Sequence, residues 1–159
     1  MVQNKKHNIF LDANIFIAAA LSRTGGSFHI ISEARAGVIA IYANNFVIAE
    51  VATVVRKKWP EKIESSYQLI SSIPMSIEDN PSAMEVREMA KLIDDIKDAP
   101  ILSGALKSNA EFLITLDRKH FLTEKLKSAN LPIKILTPKE FIENYLLKAF
   151  KLTIIFKLN

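Results

Sequence analysis

Cysteine is absent from all 159 residues. That excludes a disulfide-stapled scaffold, a zinc site built on thiolates and a cysteine nucleophile. Glycine is nearly as scarce, with only Gly25, Gly26, Gly37 and Gly104. No GxGxxG motif and no P-loop can be written from them, so the standard phosphate-cradling loops are missing. No apolar run reaches the roughly 18 residues that a membrane span requires. The opening MVQNKKHNIFLDANIF is basic, but Asp12 and Asn14 interrupt its apolar stretch and no small-residue cleavage site follows. It reads as mature protein and not as a signal peptide. A soluble, cytoplasmic protein without a membrane partner is the expectation.

What is present has an ordinary globular balance, 49% hydrophobic and 24% charged. A chain of this length suits one domain and needs no staple, since it buries roughly two-thirds of its unfolded surface. The net charge is +4 and unevenly spread. Residues 118–159 hold nine basic and three acidic side chains, while residues 78–98 hold seven acidic and three basic. A basic end beside an acidic patch suits a polyanion partner held near a cation site. Solubilising surface charge accounts for the same pattern.

Short apolar runs alternate with helical patterns. Residues 8–11 (NIFL), 38–42 (VIAIY), 112–116 (FLITL) and 133–136 (IKIL) read as buried strands. Residues 74–77 read as a short edge strand. Helices are expected over 14–21, 28–36, 44–57, 61–71, 81–95, 98–108, 124–129 and 139–149. Gly37 stops the second and Asn44 caps the third. In the third, Val47, Ile48, Val51, Val54 and Val55 form the inward face. Met84, Met89 and Leu92 are expected inward in the fifth. Thr137-Pro138 with Glu140 opens the last helix as a capping box. Strands alternating with helices indicate a parallel sheet covered on both faces, in one α/β domain. The apolar tail KLTIIFKLN admits three readings: an added edge strand, a subunit contact or a disordered end.

In such a sheet the ligand site lies beyond the carboxyl ends of the strands. Two strands run directly into an aspartate, NIFL into Asp12 and FLITL into Asp117. Asp98 heads the helix that leads into the second of these strands. Glu50 stands alone on an otherwise apolar helix segment, Ile48 to Ala52. Each aspartate is also a good N-cap. As a set, the four suggest a cation site, because like charges at about 5 Å and an effective dielectric near 20 cost roughly 3 kcal/mol per pair. No lysine or arginine lies within two residues of Asp12 or Glu50. A hard divalent ion is the natural counter-charge. His7, His29 and His120 show no ligand spacing and are not assigned to metal.

The order of these acids resembles the PIN-domain family, in particular the PIN toxins of toxin–antitoxin pairs. Phe10 to Ala19 (FLDANIFIAA) is similar to the family's opening Asp-x-Asn motif. The segment VIAEVATVV around Glu50 resembles its helix with one glutamate. KDAPILSGAL from Asp98 resembles its third motif, FLITLDRKHF with Thr115-Leu116-Asp117 its fourth, and ILTPKEF its closing segment. Ala13 stands where many members carry Thr or Ser. The resemblance covers about residues 8–147. It implies a three-layer α/β sandwich around a mostly parallel five-stranded sheet, with residues 1–149 as one nuclease domain and 150–159 as a tail outside the pattern. It also implies Asp12, Glu50, Asp98 and Asp117 as a catalytic pocket for Mg²⁺ or Mn²⁺, with Asn14 and Thr115 orienting the carboxylates.

The activity so implied is hydrolysis of phosphodiester bonds in RNA. Arg23, Arg118 and Lys119 are the candidate RNA-binding residues. A cognate antitoxin, blocking the acids with a lysine or arginine, and a homodimer are the implied partners. Three rivals stand beside this reading. They are a catalytically silent RNA- or protein-binding module, a structure-specific DNA nuclease, and an aspartyl phosphotransferase. The last usually needs a second aspartate two residues after the first, where this chain has Asn14.

Overall fold

The computed structural model describes residues 6–147. The tail 150–159 lies outside the described residues, and so does the end of the expected last helix. In chain order the elements are β1 (His7–Leu11), α1 (Ala13–Leu21), α2 (Gly26–Arg35), β2 (Ile39–Asn44), α3 (Asn45–Lys58), α4 (Ile63–Ser71), β3 (Met75–Glu78), α5 (Ala83–Ala90), α6 (Ala99–Lys107), β4 (Phe112–Ile114), α7 (Arg118–Phe121), α8 (Glu124–Ser128), β5 (Lys134–Leu136) and α9 (Pro138–Phe141). A 3-10 turn, Pro60–Lys62, follows Trp59, another, Ile96–Asp98, leads into α6, and a π-helical stretch, Ile142–Leu146, continues α9.

The five strands form one sheet in the order β3-β2-β1-β4-β5, and every pairing is parallel. In β1, the consecutive residues Ile9, Phe10 and Leu11 are all fully buried. Side chains alternate between faces along a strand, so both faces of the sheet are covered. The chain builds outward from β1 to β2 and β3, then crosses to β4 on the other side of β1. Leu11 pairs with Ile114, which sets the carboxyl ends of β1 and β4 side by side. This reversal of strand order is where open parallel sheets place ligands.

Local chemistry fixes the helix ends. Gly37 adopts a left-handed φ of 75° just past α2. Asn44 accepts a hydrogen bond from the Val47 amide at 3.0 Å and caps α3. Thr137 and Glu140 form the expected capping box. The fifth helix differs from its expectation. It is shorter, because Ser82 and Glu85 form a capping box that starts it at Ala83. In that phase Met84 points outward and is 73% exposed, while Met89 and Leu92 pack against the core. In α3, Val47, Val51 and Val55 are buried, and Ile48 and Val54 are half-buried.

Candidate metal centre

Asp12 follows the last residue of β1 and is 5% exposed. Its backbone is extended, so its carboxylate turns back on the first turn of α1. Oδ1 accepts from the Ala13 amide at 2.7 Å. Oδ2 accepts from Asn14 Nδ2 at 2.7 Å and from Thr115 Oγ1 at 2.7 Å. The capping reading of this aspartate therefore holds, and its second oxygen is tied to the end of β4. Burial raises its pKa, hydrogen bonds from Thr115 and Ala13 oppose that, and the charge of Asp117 adds to the rise.

Thr115 is fully buried at the end of β4. Besides donating to Asp12, its Oγ1 accepts from the Asp117 amide at 3.0 Å and from Asn14 Nδ2 at 3.1 Å. Asn14 Oδ1 accepts from the Leu116 amide at 3.0 Å. Asn14 and Thr115 thus tie together the ends of two strands about a hundred residues apart in sequence. Asp117 in turn caps α7, accepting from the His120 amide at 3.0 Å, and its Oδ2 lies 2.8 Å from His120 Nδ1.

Asp98 stands at the start of α6, yet its side chain makes no capping hydrogen bond. The two residues that follow need none from it, since the Ala99 amide donates to Ile96 O and Pro100 has no amide hydrogen. Its Oδ2 is buried without a hydrogen bond and lies 3.2 Å from His120 Nδ1. Loss of hydration and then the charge of Asp117 push its pKa up to about 6, against the pull of His120 and with smaller additions from Asp12 and Asp95. Glu50, on α3, is largely exposed. Protein around its carboxyl still raises its pKa, and the charges of Asp12, Asp98 and Asp117 raise it further. The four sequence-predicted acids therefore share one electrostatic field.

His120 and Asp95 join this cluster although the sequence reading left them out. One ligand atom each from Asp95, Asp98 and His120 lies within 4.8 Å of the others, close enough together to hold an ion. A signal for His120 was available: it sits three residues after the capping Asp117, the spacing at which a capping-box side chain folds back on its cap. Asp95 likewise precedes Asp98 by three residues and caps the turn before it, accepting from the Lys97 amide at 3.0 Å.

The basic candidates divide. Arg118 and Lys119 are exposed on α7, directly after Asp117. Arg118 also lines a cleft of about 410 Å³ with Lys139 and the start of α2. Arg23 follows the far end of α1. That nine-residue helix carries it about 14 Å from Asp12, at about 1.5 Å per residue. There it lines a separate cavity with Arg35, Gln68 and Ser72. No helix among the described residues is long and apolar enough to cross a membrane.

A family model described as PIN domain matches residues 8–119. No curated protein matches the chain significantly. Among solved structures, VapBC2 from Rickettsia felis, bound to a DNA fragment from its promoter, superposes with a TM-score of 0.61 at 21% identity, covering 82% of this chain and 98% of the other. DNA-bound VapBC from Salmonella typhimurium gives 0.60 at 13% identity, covering 83% and 98%. VapC20 from Mycobacterium tuberculosis, described as a toxin cleaving the sarcin–ricin loop, gives 0.53 at 14% identity, covering 77% and 95%. At these identities the likeness is one of fold.

Proposed function

The chain belongs to the PIN-domain family, and from that membership we propose that it is a divalent-metal-dependent endoribonuclease, the toxin of a toxin–antitoxin pair. The observation that supports the reading is the electrostatic coupling of the acids near the ends of β1 and β4: the charge of Asp117 raises the pKa of Asp12, Asp98 and Glu50, and Asp12 adds to the rise at Asp98 and Glu50. The buried Oδ2 of Asp98, which makes no hydrogen bond and faces His120 Nδ1 at 3.2 Å, fits a cation ligand. It is a group that stays costly until a positive charge faces it. Asp12 and Asp98 are the principal ligands in this proposal, and Asp117 completes the site. Glu50, the most exposed of the four, is placed to orient or deprotonate a water. Mg²⁺ or Mn²⁺ held there would make that water more acidic and neutralise charge developing on the phosphate and the leaving oxygen.

The remaining groups position. Thr115 and Asn14 hold Asp12 in one rotamer, as outer hydrogen bonds do around metal sites. Arg118 and Lys119 offer phosphate contacts beside the acids, which give affinity with little sequence choice. Arg23 belongs to the RNA path only if the strand runs the length of α1. An antitoxin that places a lysine or arginine among the carboxylates, a homodimer, residues 1–149 as the nuclease domain and a cytoplasmic location complete the proposal.

The test is incubation of purified protein with single-stranded RNA, structured RNA and DNA, in Mn²⁺, Mg²⁺ or EDTA. Metal-dependent RNA cleavage, abolished in Asp98→Asn, is the expected result. DNA cleavage alone would turn the reading to a DNA nuclease. Folded protein that cuts nothing and binds no cation would turn it to a binding module.

A further inference from the structure

We propose that His120 is a direct ligand of the cation through Nδ1, so that the site is a mixed nitrogen–oxygen centre that prefers Mn²⁺ and later transition metals over Mg²⁺. The inference rests on the metal-dependent reading above and goes beyond its four carboxylates. Three observations carry it. First, Nδ1 and the buried Oδ2 of Asp98, which makes no hydrogen bond, stand 3.2 Å apart. Neighbouring ligands on an octahedron with bonds of about 2.2 Å stand about 3.1 Å apart. Second, ligand atoms of Asp95, Asp98 and His120 all fall within 4.8 Å of one another. That is close to the diameter of a coordination shell, about twice a bond of 2.1–2.4 Å. Third, the residue is held in place from both its backbone and its ring. The His120 amide donates to Asp117 Oδ1 at 3.0 Å and holds the backbone at the first turn of α7, and the 2.8 Å contact of Nδ1 with Asp117 Oδ2 turns that nitrogen toward the acids.

Without an ion, Nδ1 rests 2.8 Å from Asp117 Oδ2. Coordination through Nδ1, with the ring hydrogen on Nε2, would replace that contact and free Asp117 to turn toward the cation. An all-oxygen site suits Mg²⁺, whereas an imidazole adds affinity for Mn²⁺ and more for Co²⁺ or Ni²⁺. The alternative role is purely positional. His120 would then orient Asp117 by a hydrogen bond and leave the choice of metal unchanged.

Metal binding, read without any RNA, separates the two. EDTA-stripped full-length protein is loaded with Mn²⁺ and studied by pulsed electron paramagnetic resonance, which detects a nitrogen bonded to the ion. Calorimetry then gives Mn²⁺ and Mg²⁺ affinities for wild type and His120→Gln, with circular dichroism checking the fold. The expected result is a nitrogen coupling in wild type that vanishes in His120→Gln. Mn²⁺ affinity should fall about 10–100-fold and Mg²⁺ affinity much less. Mn²⁺ bound with no nitrogen coupling in wild type would overturn the inference while leaving the nuclease reading intact. An equal loss of both metals would do the same. Wild-type protein that binds no divalent cation would overturn both. The wild-type spectrum stands even if the variant fails to fold.

Discussion

Thr115 shows how much one hydroxyl can organise. Its Oγ1 touches Asp12, Asn14 and the Asp117 amide, all between 2.7 and 3.1 Å. Thr115→Val keeps the shape and removes those hydrogen bonds. Divalent-cation affinity or cleavage rate is expected to fall about 10–100-fold, with an unchanged far-ultraviolet spectrum. A variant with full affinity would mean that the hydroxyl only fills space. Asp98 supplies a prediction in pH. Its folded pKa, about 6, lies above its ordinary value of 3.8. Between those values the folded protein binds more protons than the unfolded one, so stability is greatest on the acid side and falls as pH rises through about 6. Asp12 and Glu50, also raised, act in the same direction. In EDTA the melting temperature should therefore be higher at pH 5 than at pH 7.5, by a few degrees. Asp98→Asn should shrink that difference and raise the melting temperature at pH 7.5. An unchanged pH profile in the variant would refute the assignment.

Helix α6 must approach the sheet closely, and its small residues allow it. Ala99, Ser103, Gly104 and Ala105 are all buried. A methyl at Gly104 would collide with Asn44 Nδ2 and lie 3.2 Å from Asn44 Cγ. Asn44 cannot yield freely, because it is fully buried and its Oδ1 caps α3. Gly104→Ala is expected to destabilise the fold by about 1–3 kcal/mol, through overpacking and a strained cap. Chemical denaturation would measure it, and a loss below about 0.5 kcal/mol would show that the cap has room to move. The elements whose signals are local were legible in the sequence: the apolar strands, Gly37, Asn44, and the Thr137–Glu140 box. Met84 was misplaced because it stands in the first turn of α5, about 140° round the helix from the inward Met89 at about 100° per residue. At the site, Asp12 and Asp117 were legible as residues ending strands. That Asp98 meets them, and that His120 lies between Asp98 and Asp117, depends on how α6 and α7 dock. No local pattern encodes docking, and the backward fold of His120 was visible only as a spacing.

Across the whole molecule the charge is divided, and binding should follow that division. RNA affinity of the Asp98→Asn protein is expected to fall linearly with the logarithm of salt. Replacing Arg118 and Lys119 by alanine should reduce that slope by about 1.4, at about 0.7 for each single-strand phosphate that is no longer neutralised. Fluorescence anisotropy over a salt series reads it. An unaltered slope would remove α7 from the RNA path. The strand order reaches further. Strand β1 is made first and sits at the centre of the sheet, but its neighbour β4 comes about a hundred residues later. Asp12 waits for Thr115 and Asp117 before the acids are assembled. At about 5–20 residues per second, a ribosome needs about 6–23 s to reach Asp117. Until Asp117 has been made the nascent chain therefore carries an incomplete set of acids, and any chemistry that needs Asp12 and Asp117 together must wait for it.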